Sequence, residues 1–237
     1  AITWYLMALG LLAVYLVYHR QRGRLRKAPS TAFPPLPIPG AASYCLATHL
    51  RIEPMRYVST RGQTPPQSFD DVLLAGLAPD GGLFLPEAWP QLSAAEIAAF
   101  AGKPYTEVAT AILSRFTGDA FAPADLRADI EAAYATFETP EIAPLVDIGN
   151  GQYLLELFHG PTLAFKDVAL QILGRLFARA LAKRGGRATV VAATSGDTGS
   201  AAIAALGDRP NIEVFVMHPK GRVSEVQRRQ MTTAPFA

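Results

Sequence analysis

Apolar and polar positions fall into three regimes along the 237 residues. Residues 1–18, AITWYLMALGLLAVYLVY, carry no charge, and as a helix they would reach roughly 27 Å, close to the thickness of a hydrocarbon core. Trp4 and Tyr5 at one end, and Tyr15 and Tyr18 at the other, suit two membrane interfaces. His19, Arg20, Arg22, Arg24, Arg26 and Lys27 follow, which is the order of a stop-transfer segment and not of a signal peptide. We therefore expect a transmembrane helix over 1–19; the alternative is a buried core helix followed by a solvated charge run. Residues 20–54 read as a basic, proline-rich linker, because Pro29, Pro34, Pro35, Pro37, Pro39 and Pro54 interrupt any periodicity.

From Met55 the pattern becomes that of an α/β protein. A strand is expected near Met55–Arg61, a short helix over Ser68–Leu77, and a strand at Leu83–Leu85 stopped by Pro86. Ser93 with Glu96 forms a capping box for a helix over 94–101, and Pro104 opens a helix running to about Phe116. Leu126, Ile130, Ala133 and Phe137 share one face of a helix over 123–137. Asn150-Gly151, between Leu145–Ile148 and Tyr153–Leu157, predicts a type I′ hairpin. Beyond residue 165, helix and strand alternate: a helix over 167–184, a strand at Ala188–Ala193, a helix over 198–206, a strand at Ile212–Met217 and a helix from Val223. Continuously apolar strands joined by helices predict a parallel sheet covered on both faces.

Composition narrows the classes. Half of the residues are hydrophobic and 18% are charged, so the chain can bury a core. Cys45 is the single cysteine, which excludes a disulfide framework and C-x-x-C chemistry. His19, His49, His159 and His218 are never at metal-ligand spacing, so no metal is expected. The net charge of +2 is uneven: residues 1–54 hold six Lys/Arg against Glu53, and the remainder is net −3. A body of that sign is not expected to bind nucleic acid.

Two strings carry candidate chemistry. In Glu156–Asp167 (ELFHGPTLAFKD), a strand ends, Gly160-Pro161 turns the chain, and Lys166 stands at the mouth of a helix. Lysine is scarce in the body, where only Lys103, Lys166, Lys183 and Lys220 accompany twelve arginines. A cation at a helix N-terminus opposes the macrodipole at a cost of roughly 0.3–1 kcal/mol. Leu163, Ala164 and Phe165 would offer an ammonium little water, and both effects favour the neutral amine that a Schiff-base nucleophile needs. The competing reading has Lys166 reaching solvent and pairing with Asp167. The second string, Ala193–Ala201 (ATSGDTGSA), follows an apolar strand and opens a helix, where open α/β sheets bind ligands. Its N–H groups and the hydroxyls of Thr194, Ser195 and Thr198 suit a carboxylate or phosphate, against the alternative of an ordinary capped turn. The Asp197-Thr198-Gly199 triplet lacks the all-β setting of an aspartic protease, and no Gly-Lys-Ser/Thr closes the loop as in a P-loop.

FHGPTLAFKD followed by ATSGDTGSAA resembles threonine synthase, a pyridoxal-phosphate enzyme of fold type II. Tyr57–Gly62 (YVSTRG) and Leu77–Pro86 (LAPDGGLFLP) resemble the start of the same family. The resemblance implies a helical N-terminal domain over 55–143, then an incomplete doubly wound parallel sheet over 144–237. It implies that Lys166 forms the internal aldimine with pyridoxal 5′-phosphate and shuttles protons, and that Asp197 contacts the ring near its 3′-oxygen. Ser195, Gly196, Thr198 and Gly199 would cradle the cofactor and the substrate carboxylate, and Thr194, His159 and Arg61 would be substrate contacts. The implied reaction converts O-phospho-L-homoserine and water into L-threonine and phosphate, with that small molecule as substrate, no nucleic acid, and membrane contact only through residues 1–19. Threonine dehydratase and cysteine synthase are the alternatives within the fold type. The family's cofactor-phosphate loop is expected beyond Ala237, so this piece alone is expected to be inactive. Residues 1–27 resemble the C-terminal membrane helix of surfeit-locus cytochrome oxidase assembly proteins, which leaves a membrane-tethered scaffold as the reading from another class. Residues 1–54 are expected to be the tail of another reading frame, with a cytoplasmic body that is membrane-anchored only if 1–27 belong to the product.

Overall fold

The computed structural model describes residues 54–194 and 196–235. The expected membrane helix over 1–19, nearly all of the linker over 20–54, and Ser195 lie outside the described residues. Among the described residues, no helix is long and apolar enough to cross a membrane.

A small antiparallel sheet of order β2-β1-β3 opens the fold, from β1 (Arg56–Ser59), β2 (Gln67–Ser68) and β3 (Phe84–Pro86). Helix α1 (Phe69–Ala75) follows β2, with Ser68 accepting from Asp71 N as its cap. Helix α2 (Ala94–Ala99) carries the expected capping box, Ser93 and Glu96 bonding reciprocally. Helices α3 (Tyr105–Thr117) and α4 (Pro123–Tyr134) follow. Helix α4 ends three residues earlier than the periodicity predicts. Phe137 N bonds to Tyr134 O and Thr136 Oγ1 to Ala133 O, so the last turn tightens and then leaves the helix. Phe137 stays buried all the same, its ring 5.6 Å from that of Tyr134.

The hairpin of β4 (Leu145–Gly149) and β5 (Gln152–Leu155) turns at Asn150 (φ 53°) and Gly151 (φ 74°), the pair of left-handed residues that type I′ requires. Helix α5 (Asp167–Lys183) then crosses the molecule. Its end is a Schellman motif, with Gly186 N bonded to Leu181 O and Gly185 N to Ala182 O. Strands β6 (Ala188–Ala193) and β7 (Ile212–Met217) pair in parallel through α6 (Asp197–Leu206), and α7 (Glu225–Thr232) closes the described chain.

One apolar core runs from Tyr57 and Phe69 through Val108, Ile130, Leu170, Leu176 and Ala205 to Ile212. Helix α5 is its spine, and ion pairs secure it to the N-terminal helices. Arg179 meets Asp129 at 2.5 Å, Lys183 meets Asp70 at 3.1 Å, and Arg184 meets Asp71 at 2.5 Å. Tyr134 Oη adds a bond to Val168 O at 3.1 Å.

The parallel sheet departs from expectation. Ala188, Val190, Ile212 and Val214 pack on the core, but Val191, Phe215 and Met217 on the opposite face are more than half exposed. Strands that are apolar on both faces read as doubly covered, yet α5 and α6 supply a cover to one face only.

Candidate active site

The lysine loop is built around Asp167. Its carboxylate is fully buried at the start of α5 and accepts from Thr162 N at 2.8 Å and from Thr162 Oγ1 at 2.9 Å. A Cβ on Gly160 would overlap the Asp167 side chain, so glycine is required at that approach. Leu163 takes the left-handed φ of 59°, rare for a leucine, and such a residue persists only where its surroundings hold it. The Leu163 N to Gly160 O bond at 3.0 Å and the Thr162–Asp167 pair supply that hold. Burial pushes the Asp167 carboxyl above the usual carboxylate range, while the Thr162 bonds pull the other way.

Lys166 occupies the N-cap of α5 in helical conformation, half-buried, as the sequence predicted for a cation at a helix mouth. The competing reading and one expectation about it are corrected. Asp167 does not pair with it, because the aspartate is committed to Thr162. Leu163 and Phe165 do not shield it either, since both are more than half exposed. Lys166 Nζ instead lies 4.1 Å from the Phe165 ring centroid, a cation–π contact. Among the described residues, no carboxylate forms an ion pair with it.

The second loop leaves β6 at Thr194, whose N bonds Met217 O at 3.0 Å and keeps the loop at the carboxyl edge of the sheet. Gly196 (φ 153°, ψ −91°) is the N-cap of α6 and provides no side-chain cap for the first N–H groups of the helix. Asp197 and Thr198 are exposed; Gly196 and Gly199 are buried.

Helix α7 brings the two loops together. Gln227 Nε2 donates to Asp197 Oδ1 at 2.5 Å, and Gln230 Nε2 donates to Thr162 O at 3.0 Å. Residues three apart share a helix face, so Lys166's loop and Asp197's loop converge on one side of α7. The remaining candidates keep to other partners. Arg61 Nη1 donates to Asp80 O at 2.9 Å, joining the turn after β1 to the turn before β3. His159 Nε2 sits 2.8 Å from Glu156 Oε2, with Glu138 Oε2 at 3.9 Å from Nδ1. Gln227 escaped the sequence reading, and Asp167 entered it only as the partner of Lys166 in the competing reading. The Ser224-x-x-Gln227 spacing, a cap signal, was the available clue to Gln227.

Residues 56–134 match the family model described as threonine synthase N terminus. Threonine synthase of Pseudomonas aeruginosa is 54% identical over 179 residues, covering 76% of this chain and 38% of that protein. The chain belongs to the threonine synthase family. The Schizosaccharomyces pombe threonine synthase is 47% identical over 186 residues, 75% of this chain and 36% of that protein. The crystal structure of pyridoxal-phosphate-bound threonine synthase from Brucella melitensis superposes with a TM-score of 0.75 at 55% identity, covering 77% of this chain and 39% of that one. The chain thus spans less than two-fifths of the length of these threonine synthases. The match decides against threonine dehydratase and cysteine synthase as family assignments.

Proposed function

We propose that this chain is the N-terminal part of a threonine synthase that uses pyridoxal 5′-phosphate to convert O-phospho-L-homoserine and water into L-threonine and phosphate. We take residues 55–143 as its N-terminal domain and 144–237 as the beginning of its cofactor-binding domain. The observation that carries the reading is the convergence of the Lys166 and Asp197 loops on one face of α7. The residues present fit the cofactor: Lys166 has no acidic partner among the described residues, and Gly196 leaves the N-terminus of α6 without a side-chain cap.

Pyridoxal phosphate, when bound, supplies an electron sink for negative charge developing at the substrate's α-carbon. In this reading Lys166 holds the cofactor and moves protons at its Nζ, steadied by the Phe165 ring. Thr194, Ser195, Gly196, Thr198 and Gly199 bind carboxylate or phosphate oxygens through N–H and hydroxyl groups at the helix mouth. Asp197 would contact the cofactor ring near its 3′-oxygen. His159 and Arg61 are the substrate contacts to test next, both being held in place by neighbouring acceptors.

The test is covalent. In the full-length protein that carries this chain, borohydride reduction with pyridoxal phosphate should leave the pyridoxyl group on Lys166, located by peptide mass. Lys166→Arg should abolish both the adduct and turnover of O-phospho-L-homoserine, because arginine keeps the charge without the amine. An adduct on Lys103, Lys183 or Lys220, or an active Lys166→Arg protein, would overturn the assignment.

A further inference from the structure

The cap of α7 fixes the orientation of Gln227. Ser224 Oγ accepts from Gln227 N at 3.3 Å and donates to Gln227 Oε1 at 3.0 Å, a variant of the capping box in which the reciprocal bond goes to the hydroxyl. With Oε1 engaged by a donor, Nε2 is the end that faces Asp197, and an ionised carboxylate can only accept. The Gly196 backbone closes the other side: a Cβ there would overlap the Gln227 amide. The amide is therefore held by its own cap, by a backbone only glycine permits, and by Asp197 Oδ1. Gln230, one turn on, ties the same helix to Thr162 O in the lysine loop.

We propose that Gln227 is a positioning residue for cofactor binding: it takes Asp197 Oδ1 and leaves Oδ2 to face the ring's 3′-oxygen, with the carboxylate placed relative to Lys166 through Gln230. This rests on the reading of the 194–199 loop as the cofactor cradle. The function of the Ser224 cap is then twofold, since it starts the helix and aims the amide.

Gln227→Leu and Gln227→Glu are compared with the parent in the full-length protein, by titrating the apo-protein with pyridoxal phosphate and recording the visible absorption band. Ser93→Ala, which removes the α2 capping box remote from both loops, is the control for a purely structural cap. Thermal midpoints of the apo-proteins confirm that each variant folds. Both Gln227 variants should bind pyridoxal phosphate about tenfold more weakly, the size of one charge-assisted hydrogen bond, and should shift the band. Gln227→Glu should be the worse, because it sets carboxylate against carboxylate. Ser93→Ala should change neither affinity nor band. Gln227 variants that match the parent, or a Ser93→Ala protein that loses as much affinity, overturn the proposal alone. A parent that takes no pyridoxal phosphate on Lys166 overturns the cradle reading and this proposal with it.

Discussion

Asp80, in the turn that leads into β3, and Asp167, at the mouth of α5, hold their turns with the same kit of parts. Asp80 accepts from Ser59 Oγ at 2.7 Å, Gly82 N at 2.8 Å and Gln63 N at 3.1 Å. Asp167 accepts from the N–H and hydroxyl of Thr162. Each has a glycine where a Cβ would collide with the hydrogen-bonded group, Gly82 against Ser59 and Asp80, and Gly160 against Asp167. Their charge behaviour is nonetheless opposite. Desolvation opposes the charge on Asp80, but bonds from Ser59, Gly82, Thr64 and Gln63 outweigh it and hold the carboxyl down to about 2. At Asp167 desolvation wins, and the carboxyl is pushed up. The same hydrogen-bonding design is thus a stabilising surface turn in one place and a buried charge, one residue from the proposed nucleophile, in the other.

Substituting the two glycines is the harshest way to break the parallel. Gly160→Ala should destabilise the full-length protein by about 1–3 kcal/mol, as overpacking does. It should also cut the yield of borohydride-reduced adduct on Lys166, because the lysine loop must move. Gly82→Ala should cost a similar about 1–3 kcal/mol by denaturant unfolding, yet leave the adduct yield intact. Equal adduct yields in the two variants would show that the Gly160 loop does not position Lys166.

A milder contrast lies in pH. The folded pKa of Asp80 is depressed, so its contribution is present above about pH 4 and is lost as pH falls toward 2. The folded pKa of Asp167 is raised, so the folded state binds the extra proton, and stability declines as pH rises above about 4. Unfolding midpoints measured across acidic pH should therefore lose their acid-limb slope in Asp80→Asn. In Asp167→Asn they should fall less from pH 4 upward than in the parent. The same direction of change in both variants would refute the distinction.

The smallest effect is expected from the other end of the molecule. Met55 packs against the core that begins at Tyr57. A full-length protein shortened to start at Met55 should keep its thermal midpoint and its Lys166 adduct. A drop in either would move the domain boundary toward the N-terminus.

Much of this structure was legible in local patterns. Strands Ala188–Ala193 and Ile212–Met217, the Ser93–Glu96 box and the Asn150-Gly151 hairpin occur where spacing and turn chemistry predicted them. Each depends on residues within a few positions of one another, through φ preferences, caps and periodicity. The two loops that hold the candidates Lys166, Asp197, Gly196 and Thr198 were also readable, because a Gly-Pro turn into a helix and a strand-to-helix turn rich in hydroxyl and glycine each have a local signature. What local pattern could not supply was the partner. The competing reading had Asp167 pairing with its neighbour Lys166, and the fold turned its carboxylate inward to Thr162. Phe165 and Leu163 were expected to shield the lysine, and the left-handed turn at Leu163 left both exposed. Gln227 lies 30 positions from Asp197 and Gln230 lies 68 from Thr162, distances over which propensity carries no information. Which apolar face of β6 and β7 meets α5 and α6 was equally invisible, since side chains alternate along a strand while both faces here are apolar. The chain's own residues specify the turns, the helices and the family; packing alone decides which side chains are held, which are bare, and which helix joins the two loops.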